Sequence, residues 1–356
     1  MSSRLSPASG SRPATAWIAS LSPWPEEFGL DRMRGLLELL GHPERAFPAI
    51  HVVGTNGKST ATRTIAALLR AERRRPGAYT SPHVSGWAER IWVDGAEADF
   101  EATVVRIRRA AELVGATQFE ALTAAALVEF TERGVDVAVV EAGLGGRLDA
   151  TNVVDAEVVL LTNVSLEHTE VLGETPEEIA AEKLAVAHAA RVVVLPDNDY
   201  RRFVPAGREI VTGGAREAAE AFLRRPLAET LEPPSLPGRF DRRGRELWDG
   251  AHNPAGTAWL RTNAEGPFDV VLASILADKD ADAMLRDLAE LAPRLIATQS
   301  RSPRALAATE VARRAASHFA HVDTEPDPHA ALARARESTR GGILVTGSLY
   351  LLADLS

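Results

Sequence analysis

Residues Ile50–Ser59 read IHVVGTNGKS, and this stretch decides the fold. An apolar run with one neutral histidine feeds a turn holding two glycines and ending in Lys58 and Ser59. Glycine lets the backbone take positive φ and approach an anion closely. Such a turn at a strand end aims N–H groups, and the start of the next helix, at a phosphate. The residues that follow, TATRTIAALLRAE, form that helix. Lys58 adds a full charge, and the hydroxyls of Ser59 and Thr60 are suited to face a metal ion. The stretch predicts binding of a nucleoside triphosphate. It fits the pattern G-x-x-x-x-G-K-[ST] only at its GKS end, because Val52 stands five positions before Gly57. Gly54, three before Gly57, makes a shorter loop.

The 356 residues are 45% hydrophobic and 25% charged, ordinary values for globular chains, and the length points to two domains. A net charge of −9 argues against a bulk basic surface for nucleic acid, so the anionic ligand must be held locally. The absence of cysteine excludes disulfides, a thiolate nucleophile and a thiolate metal site. Oxygen and imidazole ligands are left, which suit Mg²⁺. No apolar run has the length of a membrane span, and the first fifteen residues lack a signal-peptide core. They read as a disordered tail, and the protein as soluble and cytoplasmic.

Helical spacing over Ala16–Leu40 precedes a strand at about Ala49–Val53, then the loop and a helix to Arg73. A short strand is expected near Ala78–Thr80 and helices over Phe100–Val114 and Glu120–Arg133. VDVAVVEAG, AEVVLLTNV and RVVVLP read as buried strands, and a short helix is expected within Val211–Leu231. Strands alternating with helices predict a parallel α/β sheet of P-loop type. EPPSLPGRF holds three prolines and a glycine in nine residues and reads as a linker over 233–240. The expected domains are thus 16–232 and a smaller Rossmann-like α/β domain over 241–356.

Glu141 ends the strand VDVAVV. Ligands in open α/β sheets sit beyond the carboxyl ends of the strands, where a carboxylate facing a phosphate loop can hold Mg²⁺. The three glycines of GLGGRLDATN (143–152) predict backbone that lies against a ligand, or simply a tight turn. His168, after the next strand, is a candidate metal ligand or a structural histidine. Lys183 sits on an acidic helix where i, i+4 pairing with Glu is the ordinary outcome. DGAHNPAG (249–256) gathers Asp, His and Asn in one turn, downstream of Arg239. Asp278, Lys279 and Asp280 end the next strand.

Together these residues resemble the folylpolyglutamate synthase/dihydrofolate synthase family of the Mur ligase superfamily. The resemblance runs from about residue 16 to the C-terminus through IHVVGTNGKST, YTSPHVSGWAERI, TQFEALTAAAL, VVEAGLGGRLDATNVV, TNVSLEHTEVLGETPEEIAAEK, PGRF, WDGAHNPAG, ADKD and VTGSLY. It implies an ATP-dependent ligase that adds L-glutamate to dihydropteroate or reduced folates. Gly54, Thr55, Asn56, Gly57, Lys58, Ser59 and Thr60 become the ATP phosphate loop. Ser81, Glu141 and His168 become Mg²⁺ ligands, and Lys183 a carbamylated lysine beside a second Mg²⁺. Lys58, Lys183 and His168 are then the catalytic candidates. Ser81, Pro82 and His83, Thr117, Gln118, Phe119 and Glu120, and Leu148, Asp149 and Ala150 line the acid-substrate site. Arg239, Asp249, His252 and Asn253 reach ATP from the second domain.

The resemblance is incomplete in places. GKST stands where GKGS or GKGT is usual, Glu167 where Asp is usual, and EKLAV where EKAGI is usual. The stretch from Pro196 to Pro237 is short, and GGAREAAEAF occupies the approximate place of an Asn-Ala nucleotide contact. A Mur-type cell-wall amino-acid ligase and a non-catalytic ATP-binding homologue are the competing readings. A monomer is implied by the family.

Overall fold

The computed structural model describes residues 13–228 and 231–356. Within them the chain opens with helices α1 (Ala14–Ser20) and α2 (Asp31–Leu39). The helical spacing read over Ala16–Leu40 is therefore carried by two helices, interrupted where Pro23 and Pro25 cannot continue one and Gly29 disfavours it. The expected tail of 1–15 lies outside the described residues up to residue 12. Ala14 and Thr15, counted in that tail, belong instead to α1, and their N–H groups donate to the Glu101 carboxylate at 2.7 and 3.2 Å.

Eight strands form the first sheet: β1 (Ala49–Val53), β2 (Pro76–Tyr79), β3 (Ile91–Val93), β4 (Ala96–Glu97), β5 (Val137–Glu141), β6 (Val158–Leu161), β7 (Val192–Leu195) and β8 (Glu209–Thr212). Their order is β4-β3-β2-β5-β1-β6-β7-β8, parallel except for the edge pairs β2–β3 and β3–β4. The helices α3 (Lys58–Ala71), α4 (Phe100–Val114), α5 (Gln118–Glu132), α6 (Thr169–Leu172), α7 (Pro176–Leu184) and α8 (Ala215–Leu223) follow in chain order. The short helix expected within Val211–Leu231 is α8, and the strand β8 just before it, not expected from sequence, is half-exposed at the sheet edge, where an apolar run is not required. The second sheet, β9 (Asp241–Arg243), β10 (Glu246–Trp248), β11 (Phe268–Ala273), β12 (Arg294–Ala297), β13 (His321–Thr324) and β14 (Gly342–Thr346), has the order β13-β12-β11-β14-β10-β9. Helix α9 (Pro254–Asn263) leaves β10 after the DGAHN turn.

The central strands are buried at every position, because a parallel sheet is covered on both faces. Alternation along β1 sends Ala49 and Val53 into one apolar layer with α4 and α5, and Ile50 and Val52 into the other with α3 and α8. Phe130 of α5 anchors the first layer. Its ring meets Phe47 edge-on at 6.0 Å and lies over Gly77, where a Cβ would come within 2.6 Å of it. Val52 pairs with Glu141 and Val53 with Leu161, so β1, β5 and β6 release their chains side by side at one sheet edge. Phe130→Ala should cost about 3–5 kcal/mol of stability, read from urea unfolding. A loss under about 1 kcal/mol would show that Phe130 is not the anchor.

Candidate active site

At that edge Gly54 and Gly57 take φ of 146° and 78°, conformations that a side chain would strain. A Cβ on Gly54 would also sit 1.9 Å from Thr162 Oγ1. The loop is pinned by the chain leaving β6. Thr55 N–H donates to Asn163 O, Asn56 N–H to Asn163 Oδ1, and Thr162 Oγ1 to Asn56 O. Thr162 and Asn163 had no role in the sequence reading, since only the fold brings them under the loop. No side chain caps α3, so its first N–H groups stay open to an anion. Lys58 arches back, donating to the carbonyls of Gly54 and Thr55 at 3.0 and 3.1 Å.

Glu141 is buried beside this loop. Its Oε1 accepts from Ser59 Oγ and its Oε2 from Ser81 N–H, both at 3.0 Å. Ser59 thus has a bond that a glycine at this position could not make. Burial pushes the Glu141 carboxyl up, while Lys58, the Ser81 N–H, Arg239 and Ser59 oppose the shift. Two donors leave lone pairs on both oxygens. Among the described residues no three His, Cys, Asp or Glu side chains are grouped to hold a metal ion. Mg²⁺ is commonly held by one or two carboxylates together with substrate phosphates and water. Glu141 and the nearby hydroxyls are hard oxygen donors of that kind. The structure brings Ser81 to Glu141 but gives His168 other company: its charged neighbours are Glu167, Lys279, Arg304 and Asp278.

Lys183 lies at the end of α7, almost fully buried, and donates to the same Gly54 carbonyl as Lys58 at 3.0 Å. Burial, then the Lys58 charge, pushes its pKa down to about 7. Ordinary i, i+4 pairing with Glu is not what it makes. The glycine-rich loop after β5 packs against the same end of α7. Gly146 packs so close to α7 that a Cβ would lie 2.5 Å from the Lys183 carbonyl oxygen.

The second sheet supplies the facing wall. Asp249 follows β10, and its carboxylate accepts from the N–H groups of Phe240 and Ala251, both at 2.8 Å. Burial pushes it up, and Arg239 is among the groups that oppose this. Asn253 caps α9 and exchanges two amide hydrogen bonds with Asn56 of the phosphate loop, at 3.2 and 3.1 Å. His252 Nε2 lies 3.2 Å from Glu167 Oε1, and Lys279 Nζ 3.5 Å from the same oxygen. Burial opposes ionisation of Glu167, yet His252, Lys58 and Lys279 hold it well below the usual carboxylate range. Glu167 and Lys279, read from sequence as a variant position and an unassigned turn, are therefore a charged link between the two sheets.

Thr117, Gln118 and Glu120 carry structural duties. Thr117 and Glu120 form a capping box on α5, Arg32 pairs with Glu120 at 2.7 Å, and Gln118 Nε2 donates to Ile18 O. Gln118 and Phe119 are half-buried, and the Phe119 ring lies against Tyr79 and Gly143. Leu148 is exposed, whereas Asp149 and Ala150 are buried. His83 accepts from Arg90 Nε at 2.9 Å, after the cis bond between Ser81 and Pro82. Thr60 is half-buried at the first turn of α3.

The Mur ligase middle domain model matches residues 52–230. The dihydrofolate synthase/folylpolyglutamate synthase of Mycobacterium tuberculosis is 30% identical, covering 83% of this chain and 80% of its own. The chain belongs to the folylpolyglutamate synthase/dihydrofolate synthase family. A Yersinia pestis member of this family, solved with Mn, AMPPNP and L-glutamate bound, is 28% identical with a TM-score of 0.85 over 97% of both chains. E. coli FolC in complex with DHPP and ADP is 25% identical with a TM-score of 0.84, again over 97% of both. These relatives favour the folate-ligase reading over the cell-wall and non-catalytic ones.

Lys183 also makes a stability prediction. Below about pH 7 the folded chain must carry a buried charge at full cost. Between about 7 and the ordinary lysine value the unfolded chain holds a proton that the folded chain lacks, so stability rises with pH. In buffer stripped of CO₂, the wild type should gain on Lys183→Met between about pH 6.5 and about pH 9.5 in urea midpoints. Equal slopes for the two proteins would count against a buried, depressed lysine.

Proposed function

We propose that this family member joins L-glutamate to a pterin-containing acid, dihydropteroate or a reduced folate, in an ATP-dependent amide synthesis. The observation that carries the reading is the convergence of Lys58, Glu141 and Lys183 on one glycine-bearing loop at a helix start. A carboxylate oxygen of the acid attacks the γ-phosphorus of ATP, and the bond to ADP breaks. The glutamate amine then attacks the acyl carbon, phosphate leaves, and the amine loses a proton. Such a transfer depends chiefly on positioning and charge neutralisation. Lys58 and the open N–H groups of α3 provide fixed positive charge for the triphosphate. Glu141 and Ser81, with His168 on the family pattern, would hold a divalent cation, whose role when bound is to neutralise phosphate charge.

Lys183 has the chemistry for carbamylation. An amine with a pKa near 7 is substantially neutral at physiological pH, and only the neutral form attacks CO₂. The adduct loses a proton and becomes a carboxylate, which turns the Lys58 repulsion into attraction and supplies an oxygen ligand for a second Mg²⁺. Phe119, with the segments at Ser81–His83 and Leu148–Ala150, forms the acid-substrate side. Arg239, Asp249, His252 and Asn253 close on the nucleotide from the second domain, whose boundary we place at the 233–240 segment. The reading has the protein act as a monomer in the cytoplasm, where ATP and glutamate are available.

Protein incubated with ATP, Mg²⁺, labelled glutamate and either dihydropteroate or tetrahydrofolate should yield a labelled amide and ADP. In the same assay Lys183→Ala should lose nearly all turnover and recover part of it with short carboxylates. No amide from either acid would refute the ligase reading, and full activity in Lys183→Ala would remove the carbamate. Arg239→Ala should lower kcat by about tenfold or more, roughly the effect of losing one charge-assisted contact, at unchanged Tm. Unaltered kinetics would exclude a role in closure.

A further inference from the structure

His51 is a polar side chain in an expensive place. It lies midway along β1, fully buried, between β5 and β6 at the centre of the first sheet. Its strand neighbours on the same face, Ala49 and Val53, belong to an apolar layer. Its Nδ1 is buried without a hydrogen-bond partner, and its Nε2 lies 2.8 Å from Thr151 Oγ1. A wholly apolar residue would avoid the desolvation cost of that unpaired nitrogen.

The direction of the contact can be worked out from the donors. Thr151 Oγ1 makes a short hydrogen bond to Asp149 Oδ1, and that oxygen also accepts from Thr151 N–H at 3.0 Å. Asp149 Oδ2 accepts from Leu144 N–H at 2.8 Å. Burial pushes the Asp149 carboxyl up, and the Thr151 hydroxyl with the Leu144 and Thr151 N–H groups opposes this. With the carboxyl ionised, the threonine proton goes to it and the hydroxyl oxygen accepts from His51 Nε2–H. Burial, and then the His188 charge, keeps the ring neutral, with a pKa pushed down to about 3. The single ring proton therefore sits on Nε2.

This chain of bonds ends on the glycine-rich loop. Asp149 ties residue 144 to residue 151 across the loop, which holds Gly143 against the Phe119 ring and Gly146 against the backbone of Lys183. We propose that His51 is a positioning residue for the acid-substrate site, acting through Thr151 and Asp149 to set the loop that faces Phe119. The assignment of that site rests on the function proposed above. His51 also lies three residues before the phosphate loop, so a merely structural role would disturb nucleotide binding as much as acid binding.

Three variants separate these outcomes. His51→Leu removes the donor at similar size, His51→Gln keeps an N–H at the reach of Nε2, and Thr151→Val cuts the chain at its middle. Binding of dihydropteroate and of AMPPNP with Mg²⁺ is measured for each, with amide hydrogen exchange at Leu144 and Thr151. His51→Leu and Thr151→Val should weaken dihydropteroate by about tenfold and speed both amides, with AMPPNP within about twofold of wild type. His51→Gln should retain most of the affinity. The proposal is overturned if His51→Leu and His51→Gln fall equally, if both ligands weaken in parallel, or if the two amides exchange at the wild-type rate in Thr151→Val. Should the wild type bind AMPPNP but no pterin acid, the substrate reading fails, and the exchange rates still decide whether His51 sets the loop.

Discussion

One buried carboxylate joins the parts of this active site. Glu141 takes a hydroxyl from the first turn of α3 and an N–H from the segment after β2. Three strand ends are thereby tied at a single side chain. An isolated carboxylate at this depth would protonate, so its ionised form requires the positive charge of Lys58 and Arg239. The phosphate loop, the second domain and the carboxylate therefore stabilise one another's charge.

The same economy governs the rest of the site. Lys58 and Lys183 both donate to the carbonyl of Gly54, two like charges at one acceptor. Burial first, and then that like charge, depresses Lys183. Across the cleft Glu167 gathers His252 and Lys279, while Asn56 and Asn253 exchange amide bonds. Polar contacts between the two sheets thus include a set beside the phosphate loop, where a triphosphate would need cations.

What could be read from sequence was local. The GTNGKS turn, the buried β-branched strands and the acid ending β5 are set by neighbours in the chain, and each appears where the pattern placed it. The helical spacing over Ala16–Leu40 holds but is split into α1 and α2, because Pro23 and Pro25 interrupt it. The strand β8 was missed because a half-exposed edge strand lacks a buried-strand signature. The charge links were illegible for a different reason: Glu167 and His252 are 85 residues apart in the chain, and His51 and Thr151 are 100 apart. No spacing rule reaches that far, and a lone histidine in an apolar run carries no mark of its partner.

At bottom the account requires the acid at 141 and the lysine-bearing turn to share one magnesium–triphosphate ligand. Calorimetry of AMPPNP binding with and without Mg²⁺, on wild type and Glu141→Gln, tests this most directly. The account predicts tight uptake by the wild type that depends on Mg²⁺, and loss of the Mg²⁺ dependence in the variant with weak residual binding. Equal Mg²⁺ dependence in the two proteins, or no uptake by the wild type, would contradict it.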